Sequence, residues 1–199
     1  MGFDLNGINP KLNKDFPPRY NEILKQYGKD GYLDWNKEIP EKIKNEYFQL
    51  QDEYQSSNPG DYFRANVWYW RPLWEYVCDV CDDILTEEDM ESGAFNDGHI
   101  IDNEKALNIA NRLKTLDKNG KILKHQTERE DYLKGLDKEI CTICNGSGQR
   151  NDENLQIKEC GGCKGEGQRQ PWSTYYPFNS DFVIEFAEFC EESGGFTIC

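Results

Sequence analysis

The chain has 199 residues, the size of one domain or of one domain with a small insert. Its 23 Lys and Arg face 37 Asp and Glu, a net charge of −14, which argues against direct nucleic-acid binding, since that task needs a basic face. Leu, Ile, Val and Phe number only 42, yet 26 aromatic residues, each able to bury roughly 150–250 Å², make a folded core feasible. No apolar run approaches the roughly 18 residues of a membrane span and no signal-peptide pattern is present, so the expectation is a cytoplasmic protein with no membrane partner.

In chain order, residues 2–8 alternate Phe3 and Leu5 with Asp4 and Asn6 before Gly7, the pattern of a short strand. A Pro- and Asn-containing loop follows, then a short helix over 20–27 and a turn-rich connection to Asn36. Pro40 opens a better helix, with Ile43, Tyr47, Leu50 and Tyr54 on one stripe, and Ser56 to Gly60 ends it.

Residues 61–71 read Asp-Tyr-Phe-Arg-Ala-Asn-Val-Trp-Tyr-Trp-Arg. As a strand over 62–70, alternation places Phe63, Ala65, Val67 and Tyr69 on a core face. Arg64, Asn66, Trp68 and Trp70 fall on the other, with Arg71 beside them. A guanidinium, an amide and two indoles in a row suit a flat or anionic ligand, so these five residues are candidate ligand-binding residues. Two Trp packed into an aliphatic-poor core are the plainer alternative.

Pro72 is then expected to open a helix to Leu85, with Leu73, Trp74, Val77, Val80, Cys81 and Ile84 at helical spacing. Thr86-Glu-Glu-Asp89 is a capping-box-like helix start, Asn96 to His99 reads as a loop, and Asp102 can cap a helix over 103–118. A charged helical arm at 121–136 leads to a Cys- and Gly-rich segment. Beyond it come an aromatic connector at 171–178, a helix from Ser180 and a final strand at 196–199.

The eight cysteines include three CxxC pairs. Cys141-Thr-Ile-Cys144-Asn-Gly-Ser-Gly148 and Cys160-Gly-Gly-Cys163-Lys-Gly-Glu-Gly167 both read CxxCxGxG and both continue into Gln-Arg. Four thiolates from two tight turns are what tetrahedral zinc takes, and the 15 residues between Cys144 and Cys160 suffice for a hairpin that brings the turns face to face. Cys141, Cys144, Cys160 and Cys163 are therefore the expected ligands of one structural Zn2+, redox or free thiols being the alternative. Cys78 and Cys81 are expected as packing thiols, or else as part of a second metal site with Cys190, Cys199 or His99.

The two motifs resemble the cysteine-rich zinc module of DnaJ-type chaperones over about residues 140–170, where two such motifs share one zinc. The resemblance does not extend to the J domain's His-Pro-Asp or to a Gly/Phe-rich linker, and the family's module has four motifs where this chain has two. Stimulation of a heat-shock ATPase is thus not implied. The start Met-Gly-Phe-Asp, the run Tyr62 to Trp74 and the end Phe186 to Cys199 resemble a family of uncharacterised tailed-phage proteins that interpose a CxxCxGxG pair. That resemblance implies expression in a bacterial host cytoplasm.

The expected fold is α+β. A small sheet of the terminal strands plus 62–70 is covered by helices at 40–56, 72–85, 103–118 and 180–192. Residues 1–138 with 171–199 form the main domain, and 139–170 form the four-cysteine zinc insertion. Three functional readings follow. The first is a non-catalytic phage-type accessory protein, in counter-defence, that binds a host protein or sequesters a small anionic or aromatic ligand such as a nucleotide. The second is an enzyme on a small polar substrate, with His99 and Asp97 or Asp102 as acid and base. The third is a chaperone-like adaptor using the zinc hairpin. No GxSxG, P-loop, GxGxxG or HExxH motif occurs. The acidity lies in two blocks. Residues 79–104 hold ten acids and no base, residues 172–199 hold five acids and no base, and residues 105–138 between them are net +4. Such blocks are solvated helix faces, or a surface that docks a basic partner.

Overall fold

A computed structural model describes residues 2–151 and 157–199. The central sheet is antiparallel, in the order β4-β1-β10-β5, with β1 at Gly2–Gly7, β4 at Tyr62–Asn66, β5 at His99–Ile101 and β10 at Phe196–Ile198. Both ends of the chain therefore lie in the middle of the sheet, where Leu5 is opposite Ile198 on one side and Phe63 on the other. Alternation works as expected in these strands. Phe3, Leu5, Phe63, Ala65, Ile101, Phe196 and Ile198 are buried, whereas Arg64 and Asn66 are exposed. Strand β5 begins at His99, the last residue of the expected loop, and with only Ile101 of its three residues buried, so short an alternation leaves little pattern.

Helices α3 (Val67–Val80), α5 (Asn103–Lys118) and α7 (Ser180–Glu192) contribute to the main core, together with Ile122 of α6 (Lys121–Lys134). Trp70 stacks between Phe3 at 5.2 Å and Trp74 at 5.3 Å, and Phe186 meets Trp70 edge-on. The aromatic residues thus supply the core area that the few aliphatics cannot. A second, smaller core joins α1 (Pro18–Tyr27), the β2–β3 ribbon (Gly28–Lys29, Tyr32–Leu33) and α2 (Glu41–Ser57) through Tyr20, Ile23, Leu33, Ile39 and Tyr47. Helix α4 (Glu87–Ser92) is the short capped helix after Thr86.

The strand expected over 62–70 stops at Asn66, and the helix expected to start at Pro72 starts five residues earlier. The cause is local. The Asn66 side chain accepts hydrogen bonds from the backbone N–H groups of Trp68 and Tyr69 at 3.0 and 3.2 Å, capping a new helix. Within that helix Trp70, Leu73, Trp74 and Val77 recur at positions i, i+3, i+4 and i+7 and share one buried stripe. A continued strand could not bury that set on one face. Pro72 sits inside the helix, where it lacks the N–H for the Trp68 carbonyl.

Candidate metal centre

The Cys- and Gly-rich segment builds a site from two near-identical halves. The ribbon β6 (Glu139–Ile140) with β9 (Gln168–Arg169) closes its base, and β7 (Gln149–Asn151) pairs with β8 (Ile157–Glu159) between the motifs. That is the hairpin the spacing predicts; residues 152–156 lie outside the described residues.

Each motif makes the same turn. In the first, Asn145, Gly146 and Gly148 have positive φ; in the second, Lys164, Gly165 and Gly167 do. This folding back points the Gly148 N–H at the Cys144 Sγ and the Gly167 N–H at the Cys163 Sγ, both at 3.3 Å. The halves also exchange backbone bonds. Cys141 donates its N–H to the Gly167 carbonyl and Cys160 donates to the Gly148 carbonyl, each at 2.9 Å.

The result is one cluster. The Cys141 and Cys160 sulfurs lie 3.9 Å apart, those of Cys144 and Cys163 3.7 Å apart, and all four lie within 4.8 Å of one another. All four cysteines are buried, and together they form a cluster separate from both apolar cores. At Cys144 burial would raise the thiol, but the Gly148 N–H and the three neighbouring thiols outweigh it and hold the group near 6. Burial and the same thiols push Cys163 up to about 11. Cys144 and Cys163 are thus pushed in opposite directions, because two thiolates so close together repel unless a cation neutralises them. Four soft sulfurs at this spacing could hold a metal ion.

Among the described residues no other group of three or more His, Cys, Asp or Glu converges in this way. Cys78, Cys81, Cys190 and Cys199 therefore do not make the second metal site considered above. Burial pushes Cys78 up to about 11 and Cys81 to about 12, and raises Cys190 well above an ordinary thiol, as expected of packing residues.

The five candidate ligand-binding residues do not share a face. Trp70 is fully buried, and its indole N–H donates to the Gly93 carbonyl at 2.9 Å. Asn66 is occupied as a helix cap. Arg64 lies on the exposed side of β4, 3.6 Å from Asp4. Trp68 packs on Tyr176 at 4.9 Å, and Arg71 lies over the same ring and donates to its hydroxyl at 3.1 Å. Arg64 and Asn66 do line one shallow groove of about 350 Å³ with Tyr69, but Asp181 and Glu185 line it too.

His99 bonds to neither Asp97 nor Asp102, although Lys105 lies 2.6 Å from Asp89 and 3.8 Å from Asp102. His99 Nε2 shares a hydrogen bond of 3.0 Å with Asp89, a buried carboxylate that sequence reading treats only as a helix cap. Burial alone would raise the Asp89 carboxyl. The Lys105 ammonium at 2.6 Å, the Thr86 N–H and hydroxyl, and His99 together hold it far below the usual range instead. Asp102 caps α5 through the Lys105 N–H, and Asp97 is exposed in the preceding loop. The Thr86-x-x-Asp89 spacing signals the cap, but nothing local signals that His99 and Lys105 converge on it.

No protein-family model, curated protein or solved structure matches the chain. No helix of the described residues is long and apolar enough to cross a membrane.

Proposed function

We propose that the four-cysteine cluster is a structural zinc site fastening residues 139–170 as an insertion in the main domain, and that the protein acts by binding. The observation that carries the first part is the convergence of four buried sulfurs within 4.8 Å. Four protein thiolates complete a tetrahedron, so the metal has no open position for substrate and its contribution is folding free energy. Among the described residues the insert's buried hydrophobic cluster consists of the four cysteines alone, so the metal stands in for an apolar core.

The binding part is a phage-type accessory role, in which the protein occupies a host protein or sequesters a small anionic or aromatic ligand in the bacterial cytoplasm. Half-exposed Trp172, with the Arg169 guanidinium 4.2 Å from its ring and Tyr175 packed beside it, supports it. So does the division of charge into two acidic blocks around a mildly basic one. The DnaJ-like turns support the metal and carry no chaperone activity with them.

The test is native mass spectrometry of the protein expressed in bacteria, with elemental analysis of the same sample. One zinc per chain, lost in Cys144→Ser, is the expected result, together with a retained ligand or captured host protein. A metal-free protein with reduced thiols overturns the zinc reading. Substrate turnover lost in His99→Ala overturns the non-catalytic one.

A further inference from the structure

A groove of about 560 Å³ opens between α6 and the connector Trp172–Tyr175, where the chain leaves the cysteine segment. Helix α6 contributes Arg129, Glu130, Leu133 and Lys134 to one wall, and Gln170, Thr174 and Phe178 stand on the other. The volume is that of a small-molecule site, and the mixture of an apolar floor with a few polar groups is what such sites use.

Charge and hydrogen bonding say what would fill it. Leu133 and Pro177, with the little of Phe178 that is not buried against Tyr76 and His125, offer an apolar surface. Arg129 and Lys134 bring two positive charges, and Lys134 is offset by Glu130 at 3.5 Å and Asp131 at 3.8 Å, which leaves Arg129 as the stronger anchor. Arg129 reaches only a distant ion pair with Glu75, at 3.8 Å, and its Nε is buried with no hydrogen-bond partner. The one other buried side-chain polar atom without a partner among the described residues is the Nε of Arg169, next in sequence to the lining Gln170. A buried donor left unpaired costs free energy, so a ligand acceptor that draws the Arg129 guanidinium toward the groove would gain by satisfying it.

We infer that this groove binds a small molecule with an oxyanion head, phosphate or carboxylate, on a flat apolar body. The head lies at Arg129 and Lys134, and the body lies over Leu133 and Pro177. The site gives an address to the small-ligand form of the binding role and rests on that reading. It differs from the Arg64 to Arg71 cluster in both place and residues.

The probes are phenyl phosphate and benzoate, titrated into the metal-replete full chain and followed by amide and arginine Nε resonances. Inorganic phosphate and phenol serve as head-only and body-only controls. Shifts at Leu133, Lys134, Gln170 and the Arg129 Nε are expected with at least one probe, and whichever binds tighter identifies the head. Each control should bind more weakly. Arg129→Gln should weaken binding by about tenfold or more, the loss of a charge-assisted hydrogen bond. Lys134→Gln, at a side chain that is 70% exposed, should weaken it by a smaller factor with an unchanged melting temperature. No binding of either probe, unchanged affinity in both variants, or shifts centred on Arg64 to Tyr69 would overturn the groove. The binding role itself is judged separately, by what the expressed protein retains.

Discussion

Gly148 packs so closely against Gly165 that a Cβ on the first would lie 2.3 Å from the carbonyl oxygen of the second. The pair recurs in the other half, where Gly167 stands in the same relation to Gly146. The GxG of each motif is thus needed twice, once for positive φ and once so that one turn can nest in the other. That nesting is what sets the sulfurs facing.

Gly148→Ala should therefore weaken metal binding by at least about tenfold, since it combines left-handed strain of roughly 1–2 kcal/mol with a backbone clash. Gly161→Ala should have little effect, because nothing lies within 4 Å of its added Cβ. Competition with a chromophoric chelator measures both. Equal affinities in the two variants would contradict the nested-turn account.

Stripping the metal should unfold the cysteine segment while the main core keeps its melting temperature within a few degrees. The cysteine cluster packs separately from the two apolar clusters, so its loss removes no core contact from them. Amide exchange before and after chelation gives the readout, with protection lost in β6, β9 and the two cysteine turns and retained in β1 and β10.

Metal removal should also weaken phenyl phosphate or benzoate at the groove. Its two walls are the segments on either side of the cysteine insert, and the Glu139–Arg169 and Ile140–Gln168 pairing closes the base of that insert. An affinity unchanged by chelation would mean that α6 and the connector hold their spacing without the insert.

Trp70 and Trp68 should separate cleanly under mutation. Trp70→Ala leaves a large cavity and an unpaired Gly93 carbonyl, with an expected loss of about 3–5 kcal/mol. Trp68→Ala, at a half-exposed site, should cost less than about 1 kcal/mol. Asn66→Ala should cost about 1 kcal/mol through the lost helix cap. Urea denaturation of the three variants checks the order.

Acid should destabilise the fold in two stages. Burial, aided by the Arg129 charge, lowers His125 from 6.5, so the unfolded chain takes up that proton first. The stability tied to neutral His125 is complete above 6.5 and is lost as the pH falls toward the folded-state value. Asp89 is held below its ordinary 3.8, so its contribution is complete above about pH 4 and is lost at lower pH as the folded-state carboxyl protonates. Melting temperatures across pH 7 to 3 should show both losses. His125→Gln should remove the first alone.

Much of this protein is local, and local features are legible. The CxxCxGxG spacing puts two sulfurs in one turn whatever surrounds it, and the alternation of Phe3 and Leu5 or Phe63 and Ala65 marks strands that bury one face. The capping box at Thr86 and the Asp102 cap also follow from neighbours a few residues apart. Other features depend on partners far along the chain. Whether Trp70 belonged to a ligand face or to the core turned on Asn66 ending the strand and on Phe3, Trp74 and Phe186 enclosing the indole. The Asp89, His99 and Lys105 cluster draws on α4, β5 and α5, and the Arg129 groove joins two segments separated by the whole cysteine insert. Periodicity and spacing act over a few residues and so determine turns, caps and strand faces. Burial and charge pairing depend on which distant elements meet, and only the tertiary structure decides that.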